Sequence, residues 1–366
     1  MIFCANPRSQ YLARKDEIDF AVSEVLESNQ YVLGEQVANF EHNFAKFIGV
    51  NHCIGVANGT DALELALRSL DIGLNDEVIT VSHTAVATVS AIQLVGATPV
   101  LVDIDEQSYT LDPAKLADAI TPRTKAIIPV HLYGHACNLD LILEIANSQN
   151  IPVIEDVSQA HAGKFKEKYL GTYGLISCFS CYPTKNLGAI GDAGLVCTDD
   201  QELALKIRML REYGWKERYL SEITGRNSRL DELQASILSV KLKYLHEDTT
   251  KRIEIANLYK ENLKDLPLVL PIENSDVKHV YHLFAILTDR RDELLAFLKK
   301  YNIYPGIHYP YPIHLQRGYK NLVRIKHPLL LTERVATQEL SLPIYPELAH
   351  DEVLQVCEKI SEFYCQ

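Results

Sequence analysis

The sequence has no surplus of basic charge: 36 Lys and Arg stand against 48 Asp and Glu over 366 residues, a formal net charge of −12. A nucleic-acid binder normally carries a basic footprint, and no local run of Lys and Arg supplies one. An anionic substrate must then be held by local donors, because the global field repels it. Apolar runs of membrane-spanning length, about 20 residues, are missing too. The opening MIFCANPRSQYLARKDEIDF contains no apolar core of signal-peptide length and meets Arg and Lys early. The eight cysteines are scattered, which fits a reducing compartment rather than a disulfide framework. A soluble, cytoplasmic protein is expected, with no nucleic acid and no membrane among its partners. Two phosphate-loop signatures are also absent. There is no G-x-G-x-x-G, which argues against NAD or FAD, and no Gly-Lys-Ser/Thr of a triphosphate loop.

What is present is enough apolar material, 47% of the residues, for a large core and two domains. Short apolar segments alternate with amphipathic ones. Cys53–Val56, Val78–Val81, Pro99–Val102, Ala126–Val130, Val153–Ile154, Leu175–Phe179 and Gly194–Thr198 read as strands. Between them, Asp61–Leu70, Ala85–Leu94, Leu139–Asn147 and Glu202–Tyr213 read as helices. This alternation predicts an α/β fold, a mainly parallel sheet between helices. A long helix from Leu230 to Leu263 is expected to bridge into a smaller C-terminal α+β domain carrying a strand over Val280–Leu287. The expected domains are residues 1–245 and 246–366.

Three local features bear on chemistry. Asn58-Gly59-Thr60-Asp61 lies between a strand and a helix, where free backbone N–H groups can hold a single phosphate; an ordinary βα turn is the alternative. Asp156 ends a strand, at the edge where open α/β sheets place ligands, or else serves as a structural carboxylate. Lys185 follows a strand and precedes a Gly-rich segment; an isolated lysine is usually a surface group. Together the three match the needs of pyridoxal 5′-phosphate: a phosphate cradle, a carboxylate for the pyridine nitrogen and an amine for the aldehyde. Other groupings read as structural. Cys178-x-x-Cys181 lies in an apolar strand with no second pair for zinc. His131 and His135 do not share a helical face, so no metal is expected. Arg208, Arg211, Lys216 and Arg218 read as a solvated face.

The segments VANGTDAL, SHTAVATVSAI, IEDVSQAH, SCYPTKNLGAIGDAG and GRNSRLDELQA, in this order, resemble the DegT/StrS-type nucleotide-sugar aminotransferases. These belong to the fold type I, aspartate aminotransferase-like, pyridoxal-phosphate transferases. The likeness extends to IHYPYPIHLQ near the C-terminus. It implies that Lys185 is the catalytic, imine-forming lysine and Asp156 the partner of the pyridine nitrogen. By the same likeness Gln159 approaches the cofactor's phenolic oxygen, and Gly59, Thr60 and Ser180 hold its phosphate. Asn227 would reach that phosphate from the neighbouring subunit of a homodimer with a shared active site, with Arg229 at the same interface and toward substrate. Relatives with histidine in place of the lysine are dehydratases; Lys185 favours amino transfer.

Two positions depart from the family pattern. An aromatic ring that stacks on the cofactor is replaced by Ala85, leaving His83 as the neighbouring candidate, and Cys181 stands where Phe is usual. Tyr182, His308 and Tyr309 are candidate sugar contacts, with packing of the domain junction as the alternative for the His308–Tyr309 loop. SHTAVATVSAI is similar to the branch that aminates C3 of dTDP-linked 3-keto-6-deoxyhexoses. The implied reaction moves nitrogen from L-glutamate to give a dTDP-3-amino-3,6-dideoxyhexose of the Fuc3N or Qui3N type, for surface glycans such as lipopolysaccharide O-antigen. A C4 aminotransferase and a non-catalytic pyridoxal-phosphate-binding regulator are the competing readings.

Overall fold

The structure is a computed structural model that describes residues 1–365. Its main sheet has the strand order His52–Val56, Gly194–Thr198, Ile176–Ser180, Ile154–Asp156, Thr124–Ile127, Glu77–Val81, Thr98–Val102 and Arg324–Ile325. Parallel bridges from Ile127 to Val153 and from Val130 to Asp156 join its two halves. Gly194–Thr198 runs antiparallel to both its neighbours, and the other named pairs are parallel. Alternate residues feed two cores, as period-two geometry requires. Val78, Cys178 and Val196 face Leu63, Leu67 and Ile207 on one side. Ile79, Phe179 and Leu195 face Phe40, Phe44 and Leu238 on the other. Covering both faces with helices is what lets the strands be apolar throughout.

A separate core gathers Tyr259, Phe284, Leu294, Leu340 and Ile360, around the antiparallel pair Phe284–Leu287 and Glu339–Leu342. Ile2 joins it, because Ile2–Phe3 pairs in parallel with Ile303–Tyr304. From this part the segment after Gly306 returns to the main sheet: Ser82 Oγ lies 2.7 Å from His314 Nδ1. No helix among the described residues is long and apolar enough to cross a membrane.

Four local expectations change. The helix expected from Asp61 begins at Gly59, because the Asn58 side chain caps it by accepting the Asp61 N–H at 2.8 Å. The single helix over Leu230–Leu263 is two, Glu232–Leu242 and Leu245–Leu263. At the junction Tyr244 is held by the Glu17 carboxylate and by the Arg14 guanidinium 3.7 Å from its ring centre, contacts that sequence-local signals cannot carry. Only Phe284–Leu287 of the expected Val280–Leu287 strand is extended in a pair. The preceding residues bond instead to Gly134 and Tyr133, with Val280 N at 3.1 Å and Leu283 N at 3.2 Å from their carbonyls. Arg211 does not belong to a solvated face: it is buried, donating to Glu41 Oε1 at 2.5 Å and Gly55 O at 2.8 Å.

Candidate active site

The parallel strands bring their C-terminal ends to one edge, and the candidate residues collect there. Gly59 and Thr60 open the Gly59–Ser69 helix, and their backbone N–H groups have no acceptor among the described residues. Ser180 ends the adjacent strand beside them. A Cβ on Gly59 would lie 2.6 Å from Ser180 Cβ, so the close approach requires glycine. Two free amides at a helix N-terminus with a hydroxyl alongside form a cradle for one phosphate.

Asp156 is buried at its strand end. Thr88 Oγ1 donates to its Oδ2 at 3.0 Å, and the Ser158 N–H donates to Oδ1 at 3.1 Å. An ionised carboxylate has about four acceptor sites, so capacity remains for a further donor such as a protonated ring nitrogen. Thr88 lies on the Val86–Leu94 helix that begins after Ala85.

Two lysines carry strongly depressed basicity. Burial pushes Lys185 down to about 8 against the pull of Asp156 and Cys181. Burial likewise pushes Lys241 down to about 8. Their surroundings separate them. Lys241 Nζ donates to Gly188 O at 2.6 Å and Gln10 Oε1 at 3.3 Å, and so is committed to holding the loop that carries Lys185. Lys185 Nζ has no acceptor among the described residues, and Asp156 is its electrostatic neighbour. With such a value roughly a tenth of the amine is neutral at pH 7, against well under a hundredth for an ordinary lysine.

Facing these is a hydrogen-bonded group that joins four candidate residues. Gln159 Oε1 accepts the Tyr133 N–H at 2.7 Å, and Gln159 Nε2 donates to Tyr309 Oη at 3.0 Å. His83 Nε2 lies 2.7 Å from Tyr133 Oη, and that hydroxyl also donates to the His308 carbonyl. Burial lowers His83 and His308 to about 4, so both rings are neutral. His83 Nδ1 is buried with no partner among the described residues. Tyr133, the hub, holds the left-handed conformation at φ +59°, which is unusual for a bulky residue.

Asn227 is exposed in its own protomer, between two anchored neighbours. Ser228 Oγ donates to Asp61 Oδ2 at 2.6 Å, and Arg226 Nη2 lies 3.2 Å from Asp61 Oδ1. Arg229 meets Glu212 at 3.5 Å, and Tyr182 projects outward, 52% exposed. The Tyr182 backbone is tied to the group around Lys185, its carbonyl accepting the Lys185 N–H at 2.8 Å, while its side chain is exposed.

Glu155, beside Asp156, is fully buried and faces away. It accepts from His131 Nε2 and the amides of Gly171, Tyr173 and Gly174 at 2.7–3.1 Å. The Cys137 N–H donates to His131 Nδ1 at 3.0 Å, which leaves Nε2 as the nitrogen that donates to Glu155. His135 Nδ1 is engaged with Ala136 O. Cys178 and Cys181 are buried free thiols that burial pushes up, a state of low reactivity. Sequence reasoning missed Thr88, Tyr133 and Lys241. Thr88 had a signal, since it falls inside SHTAVATVSAI.

Comparisons with known proteins identify the family. A transaminase of Aneurinibacillus thermoaerophilus named for dTDP-3-amino-3,6-dideoxy-alpha-D-galactopyranose is 46% identical over 347 residues, 95% of each chain. One of Streptomyces venezuelae named for dTDP-3-amino-3,4,6-trideoxy-alpha-D-glucose is 42% identical over 97% of this chain and 94% of its own. The crystal structure of S. venezuelae DesV in complex with a ketimine intermediate superposes with a TM-score of 0.97 at 41% identity, covering 100% of this chain and 99% of that one. The DegT/DnrJ/EryC1/StrS aminotransferase family matches residues 13–361, and the chain belongs to that family.

Proposed function

We propose that this aminotransferase uses pyridoxal 5′-phosphate to move nitrogen from L-glutamate to C3 of a dTDP-linked 3-keto-6-deoxyhexose. The observation that carries the reading is the pairing of an uncommitted, weakly basic Lys185 with buried Asp156 beside an open phosphate cradle. The two curated relatives described above, both named for dTDP-3-amino sugars, support C3 over C4 and an enzyme over a regulator.

The residues present fit the cofactor. Gly59, Thr60 and Ser180 would hold its phosphate, Asp156 its ring nitrogen, and the second N–H of Gln159 Nε2 its phenolic oxygen. His83 would lie by the ring, and Asn227 of a second protomer would complete the phosphate site of a homodimer. When bound, the group supplies an aldehyde that takes up amines and a cationic ring that accepts electrons from an adjacent carbon. Asp156, oriented by Thr88, would hold that positive charge in place. Lys185 Nζ, in its neutral form, takes the proton from Cα of the amino donor. In the return half-reaction the same nitrogen delivers a proton to the sugar carbon that receives the amine. Tyr182, Arg229, His308 and Tyr309 would orient the nucleotide sugar, with the His308–Tyr309 loop excluding water.

An absorbance titration of cofactor-loaded enzyme tests the reading. L-Glutamate should bleach the imine band, and a dTDP-6-deoxy-3-keto sugar should restore it. Recovery only with the 4-keto sugar would replace C3 with C4, and recovery with neither would favour the regulator.

A further inference from the structure

His308 is gripped on three sides. Its N–H donates to Glu339 Oε2 at 2.5 Å, its carbonyl accepts from Tyr133 Oη, and its Nδ1 lies 2.9 Å from Ser341 Oγ. The ring rests on Gly306, where a Cβ would come within 2.6 Å of its Cε1. Gly306 and Ser341 exchange backbone hydrogen bonds of 3.0 and 2.9 Å, which sets the serine hydroxyl at Nδ1. That hydroxyl is bonded in turn to Oε1 of Glu339, which is fully buried. Nε2 has no partner among the described residues and is the one ring nitrogen left for a ligand.

A hydroxyl has one proton, so this chain has two self-consistent states. With Glu339 ionised, Ser341 donates to Oε1 and its oxygen accepts from Nδ1–H, which leaves Nε2 a bare acceptor. With Glu339 protonated, the carboxyl donates to Ser341, Ser341 donates to Nδ1, and the ring proton sits on Nε2. The states differ by one proton, released from the carboxyl to solvent, and the imidazole is neutral in both.

We propose that Glu339 and Ser341 are positioning residues that set the tautomer of His308, and with it whether His308 offers the keto sugar a donor or an acceptor. The inference rests on His308 as a substrate contact. The groups facing Glu339 are Cys4, Tyr133, Tyr309, His308 and Arg291. Lys185 and His282 face His308, and His161 faces His282. Burial pushes Cys4 and Tyr309 up to about 12 and Tyr133 well above the usual range, and it holds His161, His282 and His308 neutral. In the loaded enzyme the cofactor's aldehyde would take up the Lys185 amine. Burial raises Glu339 to about 8 against its bonds from Ser341 and His308, so it is the group of this set that changes charge near neutrality.

Solid-state ¹⁵N spectra of histidine-labelled holoenzyme at low and high pH test this, with His308→Asn identifying the resonance. Wild type should carry the proton on Nε2 at pH about 6.5 and on Nδ1 at about 9.5. Glu339→Gln, whose amide donates to Ser341 as the acid form does, should stay Nε2–H at both, and Ser341→Ala should lose the pH response. The KM for the keto sugar should shift about fivefold across this range in wild type and stay flat in Glu339→Gln. One tautomer at both pH values in wild type, or a switch surviving in Ser341→Ala, overturns the proposal. An unchanged KM in His308→Asn overturns the substrate contact instead, leaving the tautomer result to stand by itself.

Discussion

The hydroxyl of Tyr133 lies 2.7 Å from Nε2 of His83 while donating its own proton to the His308 carbonyl. Having given that proton away, it can only accept from the histidine, so His83 is the Nε2–H tautomer and turns a bare, buried Nδ1 to its other side. One phenol therefore sets the hydrogen-bonding character of a residue beside the proposed cofactor ring and ties it to the loop carrying His308.

Tyr133→Phe keeps the ring and removes this link. A buried N–H left without an acceptor costs about 1–3 kcal/mol. Thermal unfolding should register that loss, and the KM for the keto sugar should rise about tenfold. Unaltered kinetics with lowered stability would confine Tyr133 to a structural role.

Lys185→Ala should be inactive and show no imine absorbance, since a proton shuttle alone is worth about 10²–10⁴-fold. Lys241→Met should keep the absorbance band, because that amine is already spent on Gly188 and Gln10. Full turnover by Lys185→Ala would falsify the assignment.

Capture of pyridoxal phosphate by cofactor-free enzyme should follow the neutral fraction of Lys185. With its amine lowered to about 8 by burial, the rate should climb through that pH and level off above it. An ordinary lysine would keep rising to about pH 10. Stopped-flow absorbance across this range distinguishes the two profiles.

Asp156→Asn should lower turnover by at least about a hundredfold, the amide being unable to balance a protonated ring nitrogen. Thr88→Val removes the bond to Oδ2, along with the 3.1 Å bond between Thr88 Oγ1 and Thr84 Oγ1, and should cost about tenfold. The order of the two effects is the check: an equal loss in both would mean that Asp156 acts through Thr88.

Glu155→Gln should destabilise the fold by about 3–5 kcal/mol, because one amide oxygen cannot serve donors that now meet two carboxylate oxygens. Burial resists ionisation of Glu155, but His131 and the amides around it hold its carboxyl below the usual range. Its stabilising contribution is then complete above the unfolded value near pH 4.3 and is lost as pH falls through the folded value. Denaturant titrations of wild type and variant should therefore converge on acidification; a constant gap down to pH 3 would contradict the ionised carboxylate.

Strands, connecting helices and the sheet edge that carries the candidate site were legible from alternation and period because those signals are local. So were the candidate phosphate turn, Asp156 and Lys185 as residue types in a pattern. The break after Leu242 was not, since no Gly or Pro marks it and Tyr244 takes its partners from the first helices. Arg211 looked like one cation among several until Glu41 and the Gly55 carbonyl were placed around it. Tyr133 was hidden by a backbone conformation that its sequence does not announce. Glu339 and Ser341 become neighbours of His308 only through a strand pairing that brings Gly306 to Ser341.

Asp61 sits in the first turn of the helix whose N-terminus forms the phosphate cradle, and it anchors both residues that flank outward-facing Asn227. Rigidity gained at either end of this carboxylate is inherited by the other. Where Asn227 of a second protomer completes the phosphate site, as proposed, reciprocity requires that assembly tighten cofactor retention as much as the cofactor tightens the assembly, so the holoenzyme should lose cofactor more readily as its concentration falls.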